Sequence, residues 1–168
     1  RKLIVVMPQA GRAGWGTNWV NQSGGAQQWD HFHLDQLIGW VDTNLSTIRH
    51  RQGRAVAGFS MGGFIAIRAA AVRPHLFSFA GGFSAGYDLQ DIRMQATVMG
   101  SAVLEGLPAD GPFGMPWDGS WSFNNPWHRA ASFRDIHTVL YAGRNWSDPL
   151  AGTLERESHA LSYQFWQR

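Results

Sequence analysis

Gly53-Arg54-Ala55-Val56-Ala57-Gly58-Phe59-Ser60-Met61-Gly62-Gly63 decides the fold. Residues 53–59 form an apolar run of strand length, and a helical pattern follows from Met61 to Val72, stopped by Pro74. At the junction, Gly58-Phe59-Ser60-Met61-Gly62 fits G-x-S-x-G. A serine on so tight a strand-to-helix turn projects its hydroxyl away from the backbone. Glycines two before and two after it are expected to remove side chains that would collide across the turn. The helix aims its positive amino-terminal end at the serine. The Met61 N–H can then donate to an oxyanion formed beside Ser60. A serine hydroxyl is a poor nucleophile until a base takes its proton, so the motif asks for a base and an acid elsewhere. A purely structural turn is the competing meaning of the same five residues.

Working outward, the chain alternates strands and helices. Residues 2–8, with Leu3-Ile4-Val5-Val6-Met7, read as a buried strand ended by Pro8. Residues 9–28 are rich in Gly, Asn, Gln and Ser and read as a long loop. Leu34, Leu37, Ile38, Val41 and Leu45 recur at spacings of three and four, which predicts a helix over residues 29–45. Residues 76–83 and 138–142 read as further strands, and 154–168 as a final helix. Between them, residues 84–130 are irregular, with one helix expected near 91–104. This alternation predicts an α/β fold: one domain over residues 1–168, a mostly parallel sheet with helices on both faces. Residues 2–8, 53–59, 76–83 and 138–142 are expected to be neighbouring strands, with Ser60 at the carboxyl end of the second.

Composition narrows the function. The 168 residues are 44% apolar, enough for a folded core. The formal charge is +2, and the basic residues are scattered, so there is no electrostatic case for a nucleic-acid partner. No apolar run is long enough to span a bilayer. There is no cysteine, which excludes disulfides and Cys-based metal sites. His31-Phe32-His33 is an H-x-H pair, but on a predicted helix these two do not share a face, and neither a metal nor another cofactor is expected. No signal peptide is visible, and both ends read as cut: the chain opens directly on an apolar strand and stops inside a helix. Of nine tryptophans, Trp15, Trp19, Trp117, Trp121 and Trp127 lie in Gly/Pro-rich stretches. Such residues either pack over the edge of the core or line a pocket for sugar or acyl groups.

These motifs together resemble the esterase family of α/β-hydrolases that includes the secreted mycolyltransferases, esterase D, and related feruloyl and carboxylesterases. Val5-Val6-Met7-Pro8 with Asn18-Trp19 is similar to the family's strand and following loop. Trp29-Asp30-His31-Phe32 with Leu37 to Val41 resembles its W-x-x-F helix. Gly58 to Gly63 resembles its elbow, and Pro74-His75-Leu76-Phe77 with Ala80 to Ser84 the strand after the elbow helix. Asn124-Asn125-Pro126 resembles its N-D-P segment, with Asn125 where Asp is usual. Val139 to Gly143 resembles the next strand.

The resemblance implies an α/β-hydrolase fold and a triad in the order nucleophile, acid, histidine. Ser60 would be the nucleophile. Two acids compete. Asp148 lies just after the strand ending near Gly143. Glu155 opens the final helix, and its spacing to Phe165 resembles the mycolyltransferase-like branch, so Glu155 is preferred. The family places its histidine in a G-x-H segment beyond one further strand. His31, His33, His50, His75, His128 and His137 all precede the candidate acids, and His159 shares a helix face with Glu155. None fits the base, so residues 1–168 alone are expected to be inactive or nearly so. The family's first strands, with the loop giving the second oxyanion N–H, would precede Arg1.

The function that follows is a serine ester hydrolase or acyltransferase working through an acyl-enzyme on Ser60. Its substrate would be a small ester or glycolipid, and its location secreted or in the cell envelope. The alternative is a non-catalytic relative kept as a binding or adhesion module, which would have no need of a strained Ser60 elbow. Oligomeric state is not legible.

Overall fold

The computed structural model describes residues 3–142. Among the described residues three parallel strands form the sheet: β1 (Ala55–Phe59), β2 (Phe79–Phe83) and β3 (His137–Tyr141), in the order β1-β2-β3. Ala55 pairs with Phe79 and Phe79 with His137, and the register runs unbroken to Phe59, Phe83 and Tyr141. The parallel sheet and the positions of these strands agree with the sequence, each within three residues.

Helix α2 (Met61–Val72) joins β1 to β2. Gly63, Phe64 and every residue from Ala66 to Ala71 are buried. A helix apolar nearly all round belongs inside a protein, and its small residues let it lie close against the strands. Gly82 is such a point of approach: a side chain there would overlap the Tyr87 hydroxyl and crowd Ile67. The other face of the sheet, with Ala55, Ala57, Phe59, Val139 and Tyr141, is open among the described residues.

Residues 29–44 are helical, as the spacing predicts, but the first part is wider than an α-helix. A π-helical stretch, His31–Leu37, leads into α1 (Ile38–Asn44). The irregular region carries α3 (Ile92–Leu104), α4 (Gly119–Phe123) and a 3-10 segment, Pro126–Phe133. Asp91 caps α3 by accepting from the Arg93 N–H at 2.8 Å. The Arg93 side chain then holds the Asp91 carboxyl down at a pKa of about 2.

The strand expected over residues 2–8 is not formed: residues 3–8 carry no regular structure. Leu3 and Met7 are 84% and 89% exposed. A cavity of about 720 Å³ lies between this run and β1, lined by Ile4, Val6, Leu37, Val41, Val56 and Ile65 among others. A strand is defined by a hydrogen-bonded neighbour about 4.8 Å away, and residues 3–8 make no ladder with β1. Apolar composition shows that a segment can be a strand; pairing depends on what lies next to it.

Candidate active site

Ser60 sits where the sequence puts it, between β1 and α2 at the carboxyl end of the sheet. Its backbone is at φ 54°, ψ −123°. A non-glycine residue with positive φ is held at a cost, on the order of 1–3 kcal/mol, and such strain gathers at functional sites. Two hydrogen bonds hold it: the Ser60 N–H donates to the Phe83 carbonyl at 2.8 Å, and the Phe64 N–H donates to the Ser60 carbonyl at 3.1 Å. The side chain is exposed. Met61 is the first residue of α2, so its N–H is one of the donors a helix leaves without an internal partner.

The glycines divide the steric work differently from the expected pattern. A side chain at Gly58 would collide with the backbone of Gly62. Gly62 itself has open space where a Cβ would stand. The demand falls instead on Gly63, whose Cβ would lie 2.9 Å from the Ala85 Cβ and 3.1 Å from the Phe83 nitrogen. The tight contact is between the first turn of α2 and the backbone leaving β2. A motif counted along one strand does not see the neighbouring strand.

No described histidine serves Ser60. His50, His75 and His137 lie at the amino end of the sheet, next to the starts of the strands. His31 pairs with Asp35 at 3.1 Å, His33 with the Gln9 carbonyl at 2.7 Å, and His128 with the Ser122 hydroxyl at 3.1 Å. Asp148, Glu155, Phe165 and His159 lie outside the described residues, as does the expected final helix.

The loop tryptophans divide. Trp15, Trp19 and Trp121 are buried in the core. The Trp19 indole donates to the Gly14 carbonyl and that of Trp121 to the Gly114 carbonyl, both at 3.1 Å. Trp127 packs partly buried against the core, and Trp117 is exposed.

A feature the sequence reading missed lies under the elbow helix. Arg68, buried on α2, donates to the Asp30 carboxylate, the Gly16 carbonyl and the Asn124 side-chain carbonyl, each at 2.7 Å. Burial lowers its pKa, and Asp30 pulls it back up. Arg73 adds a second bond to Asp30 at 3.2 Å. One guanidinium thus ties α2 to the long loop, the first helix and the irregular region. The signal was available: Arg68 is the single charge in Phe64-Ile65-Ala66-Ile67-Arg68-Ala69-Ala70-Ala71. Asn125 is fully buried nearby, donating to Asp88 at 2.9 Å and accepting from the Trp127 N–H. An amide can donate to a carboxylate; an aspartate at 125 would repel it.

The Esterase family profile matches residues 1–154. The chain belongs to the esterase family. Esterase Rv1288 of Mycobacterium tuberculosis (strain H37Rv) is 37% identical over 163 residues, covering 91% of this chain and 36% of that protein. The diacylglycerol acyltransferase/mycolyltransferase Ag85B of Mycobacterium leprae is 31% identical, covering 97% of this chain and 54% of that protein. The crystal structure of Mycobacterium tuberculosis MPT51 superposes with a TM-score of 0.74 at 26% identity, over 92% of this chain and 60% of that one. The chain spans between about a third and three fifths of these relatives. The fold is that of an α/β-hydrolase, as the elbow and the strand–helix alternation imply.

Proposed function

We propose that this esterase is a serine ester hydrolase or acyltransferase in which Ser60 is the nucleophile. The observation that carries the reading is the Ser60 backbone: strained, exposed, and placed at the start of a buried helix. Ser60 Oγ attacks an ester carbonyl while a histidine takes its proton. The Met61 N–H donates to the oxyanion, and the alcohol leaves with the proton. Water or a hydroxyl of a sugar or glycerol then takes the acyl group. Likeness to a protein named as an acyltransferase supports transfer, and likeness to one named as an esterase supports hydrolysis. The substrate we propose is a small ester or glycolipid, and the location the cell envelope or outside the cell. A binding or adhesion module on the same fold is the competing reading; it gives no reason for the strain at Ser60.

The direct experiment is covalent. In the full-length protein, a fluorophosphonate ester should add one phosphonyl group, found on the peptide containing Ser60. An unlabelled or randomly labelled protein would favour the binding module.

The triad acid we propose is Glu155. In the full-length protein Glu155→Gln should lower turnover of a short p-nitrophenyl ester by orders of magnitude, because the histidine loses the group that holds its tautomer. Asp148→Asn should change turnover little. The opposite ranking would move the role to Asp148, in the feruloyl-esterase-like arrangement.

A further inference from the structure

Arginines scattered along the sequence are gathered by the sheet at the end of the molecule away from Ser60. The strands are parallel and in register, so Ala55, Phe79 and His137 start side by side. Each start is reached through a basic segment. These are Arg49-His50-Arg51-Gln52-Gly53-Arg54 before β1, Arg73-Pro74-His75 before β2, and Arg134-Asp135-Ile136-His137 leading into β3. Arg51 ties the three together, donating to the Phe77 carbonyl at 3.2 Å and to the Asp135 carbonyl at 2.6 Å. At about 3.3 Å per residue, the five residues of β1 set this pole about 16 Å from Ser60.

Part of this charge is used inside the fold. Arg54 pairs with Asp42, and Arg73 with Asp30 and Asp35. Arg49, Arg51 and Arg134 have no ion pair among the described residues. Arg49 and Arg134 are exposed, as are His50, His75 and His137, and the carboxylate standing among these segments is Asp135. The basic groups are spread over two strand spacings, about 10 Å, so they face a surface rather than one small anion. Ile48, next to Arg49, is 59% exposed. An exposed apolar side chain beside basic ones suits a lipid headgroup boundary, where charge meets phosphate and the apolar group enters the interface. Binding of single-stranded nucleic acid would ask for aromatic stacking platforms, and these three segments expose no Phe, Tyr or Trp.

We propose that this pole docks on an anionic phospholipid surface. Arg49 and Arg134 meet headgroup phosphates, Arg51 holds the three strand starts in one plane, and Ile48 enters the interface. Docking of this kind turns Ser60 away from the bilayer. It is independent of the reading of Ser60 as a nucleophile.

The test is sedimentation of the full-length protein at pH 7 and low salt with vesicles of equal parts phosphatidylglycerol and phosphatidylcholine, compared with phosphatidylcholine alone. Binding is expected to the anionic vesicles and should fade as salt rises. An arginine near such a surface contributes about five-fold to partitioning, so Arg49→Gln with Arg134→Gln should weaken it about 25-fold. Both side chains are exposed, and the double variant should melt with the parent and keep any Ser60 labelling the parent shows. Arg12→Gln, at an arginine 80% exposed outside the patch, should change binding less than about two-fold. No preference for anionic vesicles would overturn the proposal, and so would equal binding by the double variant. Displacement by inorganic phosphate beyond that by chloride of the same ionic strength would mark a single-anion site and overturn the surface. A parent that ignores vesicles but binds duplex DNA through Arg49 and Arg134 would overturn it in favour of nucleic acid.

Discussion

Ser60→Ala in the full-length protein is expected to reduce kcat on a short p-nitrophenyl ester by several orders of magnitude, up to about 10⁶-fold, the scale on which serine hydrolases lose turnover without their nucleophile. The loss should be chemical rather than structural. The Ser60 side chain is exposed, and the bonds that hold the turn come from its backbone. Alanine keeps both bonds and the strained φ, so the variant should melt within a degree or two of the parent. Fluorophosphonate labelling should disappear with turnover. A small residual rate over water is expected from the oxyanion donors and substrate binding. Near-normal turnover in Ser60→Ala would place the nucleophile elsewhere and leave the elbow as a structural turn.

The second large effect is on stability. Arg68→Met should destabilise the fold by about 3–5 kcal/mol, the usual consequence of removing one partner of a buried ion pair. Methionine approximates the aliphatic stem, so the loss isolates the guanidinium. Its departure leaves Asp30, 11% exposed at its side chain, with the longer bond to Arg73 as its remaining ion pair among the described residues. It also leaves the Gly16 and Asn124 carbonyls without the donor that joins them. In a domain of this size each kcal/mol is worth about 2–4 °C of Tm, so a fall of about 6–20 °C is expected. Denaturant unfolding at pH 7 measures the free energy directly. Adding Asp30→Asn should cost less in the Arg68→Met background than in the parent, because the carboxylate is no longer left without its main partner. A cost below about 1 kcal/mol for Arg68→Met would show that the loop and helix do not depend on this tie.

How much was legible in the sequence depended on whether the cause was local. The elbow was legible because it is a local object. Gly58, Ser60 and the start of α2 lie within a few residues, and the backbone they force is the one found. Strands β1, β2 and β3 and helix α2 were legible because apolar runs and breakers mark them within single windows. The parallel sheet followed from their alternation. The sequence leaves Trp15, Trp19 and Trp121 open between core and pocket, since an aromatic ring in a glycine-rich loop serves either; packing puts all three in the core.

Other features depend on residues far apart in the chain. Residues 2–8 have the composition of a strand, but a strand exists only when another backbone is hydrogen-bonded beside it, and residues 3–8 form no ladder among the described residues. Gly63 is required because β2 passes close to it, while Gly62, inside the motif, faces open space. The partners of Arg68 are 38, 52 and 56 residues away. By itself the sequence determined the local events: which serine is presented, on which turn, at the head of which helix. Only the tertiary structure decided what stands beside that serine, because contacts between neighbouring strands and buried polar partners carry no fixed spacing along the chain.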